Sequence, residues 1–227
     1  MKSDTCESCG KRPAEISFSY SRRLCCSCFL SLLERRCRRD LSDSGALGIA
    51  SRNAHRSGRI YLLSENRLEG MAALHFLRRA NPKLKVELFS VNSFSIPELL
   101  NFSKGDDALS FALAWSIERE DSLFLANYLS DKKRKSSVPL GQSFNLGRTF
   151  FFKVFRNARV EELKAYLKCL GVGRIPRLRA DWLESKEYSM LTRLEARYPE
   201  VKFSLLSSSD FIRNGPKVFR KTTGKTD

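Results

Sequence analysis

Long apolar runs are missing from this chain: nothing in it approaches the roughly 18 to 20 residues a membrane-spanning helix needs, and no apolar signal segment opens it. A soluble chain of the cytoplasm, with no membrane partner, is the expectation. Histidine is scarce, with two in 227 residues. His75 lies in a helix-like run beside Leu74 and Leu77 and His55 in a polar stretch, so neither has a nucleophile to activate. Acidic residues are outnumbered, 25 against 41 Lys and Arg, giving a formal charge of +16 and a pI near 9.8. Such a field attracts polyanions and raises their encounter rate, which makes nucleic acid the expected partner ahead of a membrane surface. Cysteine is absent from residue 38 through residue 168, and no internal repeat is present.

What cysteine there is gathers at one end. Six of seven fall within the first 37 residues, and a cytosolic chain keeps its thiols reduced, so the cluster reads as metal ligands before disulfides. Cys6-x2-Cys9, fifteen intervening residues, then Cys25-x2-Cys28 is the spacing of a two-knuckle zinc ribbon. Two residues between thiolates let a tight turn aim both sulfurs at one ion, and two such turns complete a tetrahedron. Cys26 also neighbours the second knuckle, although Cys25 keeps the two-residue spacing. Cys37 and Cys169 read as spectators. Four thiolates leave no open position for substrate, so the zinc is expected to be structural.

At 42% hydrophobic, the chain can bury one sizeable core plus a small appendage. Residues 1–40 read as the ribbon, a hairpin followed by the helix-like run Phe29-Leu30-Ser31-Leu32-Leu33. Residues 41–57 turn to Ser, Gly, Ala, Asn and Arg and read as a linker, 58–213 as an α/β domain, and 214–227 as a basic, disordered tail. In the α/β part, Gly58 to Ser64 reads as a strand, Leu68 to Ala80 as a helix stopped by Asn81-Pro82, and Lys85 to Val91 as a second strand. Together they form a β-α-β unit that favours a parallel sheet. Asp106 to Leu129 reads as one long helix with Leu109, Leu113, Ile117, Leu123 and Leu125 inward. Phe150 to Phe155 follows as a strand, Val160 to Leu170 as a helix ended by Gly171, and Asp181 to Arg197 as a helix ended before Pro199. Tyr61, Phe150, Phe151 and Phe152 read as core.

The order of these pieces resembles the adenylating tRNA thiolation proteins, the cytosolic branch of the PP-loop ATP pyrophosphatase superfamily. Leu24-Cys25-Cys26-Ser27-Cys28-Phe29 is similar to the end of their zinc ribbon, Ile60 to Ser64 to their first strand, and Met71 to Leu77 to the helix after it. Ala165 to Leu170 and Leu194 to Leu206 are similar to their C-terminal segments, the latter running helix, turn and strand. Gly105-Asp106-Asp107-Ala108-Leu109 is a partial match to their Leu-Asp-Asp-Glu-Ala helix start, although acidic residues suit any helix N-terminus.

The departure comes after the first strand. Where the family has Ser-Gly-Gly-x-Asp-Ser around the ATP phosphates, this chain reads Ser64-Glu65-Asn66-Arg67-Leu68-Glu69-Gly70. The glycines that let the backbone approach phosphate are gone and an acid stands where anions would bind, so ATP is not expected. The internal catalytic cysteines are missing as well. These losses are similar to the cytoplasmic tRNA 2-thiolation protein 2 family, the degenerate partner of the active subunit. The resemblance implies a truncated Rossmann-like PP-loop domain that binds tRNA and supports wobble-uridine 2-thiolation. A catalytic PP-loop paralogue would be its heterodimer partner, with a ubiquitin-like sulfur carrier reached through the complex.

Three basic clusters are candidates for RNA phosphates: Arg35, Arg36, Arg38 and Arg39; Lys132, Lys133, Arg134 and Lys135; and Arg174, Arg177 and Arg179. Such clusters indicate binding without specifying a base, and any one run can equally be a solvated surface. Two other functions stay open at this point: an active, divergent ATP-dependent thiouridylase, and a general zinc-ribbon RNA-binding protein.

Overall fold

The computed structural model describes residues 5–46, 48, 59–102, 110–129 and 138–214. The first cysteine knuckle and its return are held by two isolated antiparallel bridges, Thr5 to Pro13 and Ile16 to Leu24, rather than by a full hairpin. Helix α1, Cys26–Asp43, starts from Cys25 in extended conformation. It buries Phe29, Leu33, Cys37 and Leu41, four positions each four apart, which lie one above another on a single face. Most of the 41–57 segment lies outside the described residues, as do the tail from residue 215 and His55.

Strand β1, Arg59–Ser64, leads to helix α2, Arg67–Ala80, which turns Leu68, Ala72, Ala73, Phe76 and Leu77 inward. Strand β2, Lys85–Ser90, lies parallel to β1, with Ile60 opposite Val86 and Leu62 opposite Leu88. A short helix α3, Ile96–Phe102, precedes strand β3, Ser110–Leu113, and helix α4 covers Ile117–Leu129. Strands β4, Ser143–Leu146, and β5, Thr149–Lys153, form an antiparallel hairpin. Helices α5, Val160–Cys169, α6, Lys186–Arg197, and α7, Val201–Asn214, complete the chain, with a 3-10 turn at Asp181–Glu184. The five strands run in the order β2-β1-β3-β5-β4, and only β4 is antiparallel. The α/β class and the mostly parallel sheet thus match the sequence expectation.

Three expected elements differ. Asp106 to Leu129 is not one helix: Ser110–Leu113 is a strand, and the helix begins at Ile117. The strand sits between β1 and β5 with all four residues buried, and a strand covered on both faces is an unbroken apolar run that mimics helical spacing. Its neighbours Asp106, Asp107 and Leu109 lie outside the described residues. The expected helix from Asp181 is interrupted at Ser185, whose hydroxyl accepts from Tyr188 N at 3.1 Å and caps α6. Val201 to Leu206 opens helix α7 instead of forming a strand. Lys202, Leu206 and Ser209 recur at helical spacing and are buried.

One face of the sheet (Ile60, Leu62, Ala112, Phe150, Phe152) packs under α1, α2 and α5 in a single cluster that also holds Cys6, Ile16 and Leu24 of the cysteine loops. The other face carries Leu63, Phe111, Leu113 and Phe151 against Val91, Phe94, Leu99 and Trp115. Across that second face the rings of Phe89, Tyr61, Phe111, Phe151 and Phe144 form one row over all five strands, with centroids 5.3–5.8 Å apart. Offset rings at this spacing add to the burial they share.

Candidate metal centre and the loop after the first strand

Gly10, at φ 64, closes the first knuckle, its N–H donating to Cys6 O at 2.8 Å. A residue with a Cβ resists that left-handed turn. The second knuckle is the junction of Cys25 with α1. Between them, the sulfurs of Cys6, Cys9, Cys25 and Cys28 all lie within 4.8 Å of one another, Cys9 and Cys25 at 4.0 Å. Thiolates about 2.3 Å from one ion at tetrahedral corners stand about 3.8 Å apart, so these four suit a single ion. A cubane iron–sulfur cluster interposes its own iron and sulfide layer and spreads its cysteines wider. Burial would push the Cys6 thiol up, but backbone N–H groups of Cys25, Cys9 and Ser8 bring it down to about 6. Ser8 favours the Cys28 thiolate, yet the facing sulfurs of Cys25, Cys6 and Cys9 raise that thiol to about 11. Crowding of this kind disappears when a cation neutralises the set. Of the two residues that competed for the third position, Cys25 points into the set. Cys26 instead bonds to Cys169.

The second candidate region lies at the carboxyl ends of β1 and β3. There the strand order reverses, and open α/β sheets place ligands at such a point. The chain fills it with its own acids. Asn66 caps α2 by accepting from Glu69 N at 2.9 Å, while Gly70 N donates to Asn66 O at 3.1 Å. Glu69 is fully buried, accepts from Ser116 N at 3.1 Å and also takes the Asn66 amide at 2.5 Å. Glu65 accepts from Phe94 N and pairs with Arg119. The Arg119 guanidinium in turn lies 4.6 Å from the ring centres of both Phe94 and Trp115 and 5.9 Å from that of Trp182. Burial raises the pKa of Glu69 against the pull of Arg119 and its donors. Gly70 is also required sterically, because a Cβ there would stand 2.8 Å from the Ser64 hydroxyl. Ser64 and Asn66 are buried, and Arg67 is exposed.

Beneath this loop, the first turn of α4 buries a run of charges that the sequence did not single out. Glu120 holds Lys153 at 2.6 Å, Arg156 at 2.8 Å and Gly141 N at 2.7 Å. Glu118 accepts from Val160 N and from Lys202 at 2.9 Å, and Arg156 clasps Asp210 with two bonds of 2.9 and 2.7 Å. These pairs fasten α7 to α4. Burial brings Lys153 down to about 8 despite Glu120. Asp121 lies in the same turn with neither carboxylate oxygen hydrogen-bonded among the described residues. Burial, then Glu118 and Glu120, push it up to about 9.

The basic candidates are scattered. On α1, Arg35 and Arg39 are exposed with no ion pair among the described residues, while Arg38 reaches Glu34 at 3.5 Å. Arg36 is bound to Glu162 at 2.5 Å. Arg174, Arg177 and Arg179 are exposed on an irregular loop whose Ile175 and Leu178 pack on the core. Lys132, Lys133, Arg134 and Lys135 lie outside the described residues. No helix among the described residues is long and apolar enough to cross a membrane.

No family model matches the sequence, and no curated protein matches it. Among solved structures, the chain is similar to the U34-tRNA thiolase NcsA from Methanococcus maripaludis with its [4Fe-4S] cluster, at 11% identity and a TM-score of 0.63. The match covers 95% of this chain and 89% of that one. The chain therefore shares the fold of that structure, and four cysteines gather near its N-terminal end.

Proposed function

We propose that this chain is a non-catalytic tRNA-binding subunit that supports 2-thiolation of the wobble uridine together with a catalytic PP-loop paralogue. The observation that carries this reading is the loop after β1. Glu65 and Glu69 occupy the anion position of the fold, and the N–H groups of Phe94, Ser116 and Glu69 are taken by side chains of the chain itself. A phosphate cradle needs converging free N–H groups. The likeness to a U34-tRNA thiolase supports a role in tRNA thiolation, and the charge of +16 supports the tRNA contact.

The test is a reconstitution. The purified chain is expected to bind no ATP in a calorimetric titration and to leave tRNA unadenylated. It should also co-purify with a paralogue that retains Ser-Gly-Gly-x-Asp-Ser and increase the thiolation that paralogue performs. Adenylated tRNA formed by this chain alone, at a rate scaling with its concentration, would overturn the reading in favour of a divergent enzyme.

For the metal, the reading is one structural zinc held by Cys6, Cys9, Cys25 and Cys28, supported by the sulfur separations that suit a single ion. Elemental analysis and absorption spectra decide it, since a brown, iron-containing chain replaces zinc with an iron–sulfur centre. For RNA, Arg35, Arg39, Arg174, Arg177 and Arg179 are the members of the described candidate clusters that are exposed and make no ion pair among the described residues, with Lys132 to Lys135 proposed alongside them. Removing that lysine-rich run should shallow the dependence of binding on salt, because fewer condensed counterions are released.

A further inference from the structure

We infer that Cys26 and Cys169 form a reversible redox clasp that fastens the metal-binding end of α1 to the end of α5. The two residues are 143 positions apart, yet the fold brings their Cα atoms to 5.2 Å and joins their sulfurs. That Cα separation is one a disulfide spans without backbone movement. Neither belongs to the four-sulfur set, although Cys26 follows Cys25 directly. Both are partly exposed, so a small oxidant or reductant can reach them. Cys37, on the same helix, is fully buried, with its thiol pushed up by that burial, and takes no part.

Polar contacts already align the surfaces the clasp would join. Tyr166 of α5 donates to Glu34 of α1 at 3.0 Å, Glu162 holds Arg36 at 2.5 Å, and Cys37 donates to Asn157 at 3.4 Å. These contacts lie along α1 beyond the cysteine knuckles, whereas the Cys26–Cys169 bond sits at the knuckle itself. Closing it converts a contact made by a few side chains into a covalent one at the point where the ribbon meets the body. It also removes from competition the one thiol that neighbours a metal ligand.

The oxidant is a low-molecular-weight disulfide such as oxidised glutathione. The first cysteine thiolate attacks it, forming a mixed disulfide and expelling one glutathione thiolate. The second cysteine then displaces the other glutathione, so two protein thiols become one disulfide and one glutathione disulfide becomes two thiols. Both protons end on the released glutathione. In a reducing cytosol the pair stays open, and a rise in the disulfide pool closes it.

The test uses the full-length, metal-loaded chain equilibrated in glutathione buffers of graded redox ratio, quenched by alkylation and mapped by mass spectrometry. The expected result is a Cys26–Cys169 peptide two hydrogens lighter than the reduced pair, formed and lost reversibly, with the metal content unchanged. Closing so long a loop should raise the Tm by roughly 10 °C on oxidation. Cys169→Ser should lose that rise while keeping the metal. Should the serine variant fail to fold, Cys169→Ala and the wild-type peptide map carry the same decision. Disulfides joining Cys26 to Cys25 or Cys28, metal released in step with oxidation, no Cys26–Cys169 peptide at any ratio, or an oxidation-dependent Tm rise that survives in the Cys169 variant would each overturn the clasp.

Discussion

Around Cys6, Cys9, Cys25 and Cys28 four ligand atoms converge on one another, and the protein leaves their crowding for an ion to relieve. Around Ser64 to Arg67, at the carboxyl ends of the strands, the converging donors have been met from within, by Glu65, Glu69 and the Asn66 cap. Both regions sit where the fold concentrates polar groups. The difference teaches that converging polar groups do not by themselves imply a ligand: one region leaves its groups for an ion to satisfy, while the other satisfies them from within.

The largest expected effect comes from breaking the first region. Cys9→Ser should reduce the bound metal to near zero in elemental analysis. Since metal binding supplies on the order of 10 kcal/mol to small zinc modules, the cysteine loops should unfold with it. The cooperative unfolding of the sheet in denaturant should persist, weakened at the α1 contact.

Next is the buried charge beneath the filled loop. Glu120→Ala leaves Lys153 buried without an acid and Arg156 with Asp210 alone, which should cost about 3–5 kcal/mol in a denaturant titration. A loss comparable to an exposed pair would mean the turn is more open to water than its geometry indicates.

A pH-dependent effect singles out one acid that the fold keeps neutral. Asp121, among Glu118, Glu120, Lys202 and Arg156, is pushed up to about 9, far above its unfolded value near 4. The folded chain therefore holds a proton that the unfolded chain has lost. This contribution is full below about pH 4 and is lost as pH rises toward 9. Asp121→Asn carries no such proton, so its stability should vary less between pH 5 and 9, and it should exceed wild type at the alkaline end. Parallel pH profiles of wild type and variant would sink the assignment.

The smallest change, Glu65→Gln, keeps an acceptor for Phe94 N but removes the charge facing Arg119. It should cost about 1–3 kcal/mol, read by thermal shift, without creating tight ATP binding. Tight binding by this variant would show that a single charge, rather than the whole filled loop, closes the site.

The sequence was most legible where chemistry demands fixed spacing. The four converging cysteines follow from two Cys-x2-Cys steps, and α2 follows from Leu68, Ala72 and Leu77. It was least legible where tertiary partners decide. Ser110 to Leu113 has no alternation to mark it as a strand, because neighbours on both faces bury it, and Val201 to Leu206 is apolar enough to suit a strand until Lys202 finds Glu118 and Glu195. The acids at Glu65 and Glu69 were visible in the sequence as a departure from the phosphate loop of the family the chain resembles. Arg119, their counterpart, stands some fifty residues on and carries no local sign of its role. The Cys26–Cys169 pair was equally hidden, since separation along the chain says nothing of proximity in the fold.

The stacking of Arg119 has one consequence for the bench. The chain contains two tryptophans, and both, Trp115 and Trp182, lie within 6 Å of that single guanidinium. All indole emission from this protein therefore originates at the filled strand ends and none at the cysteine loops. Excited at the red edge, where tyrosine is silent, the native chain is its own fluorophore for that one location. A titrant that engages the metal centre should leave the spectrum still, and one that displaces Glu65 from Arg119 should move it.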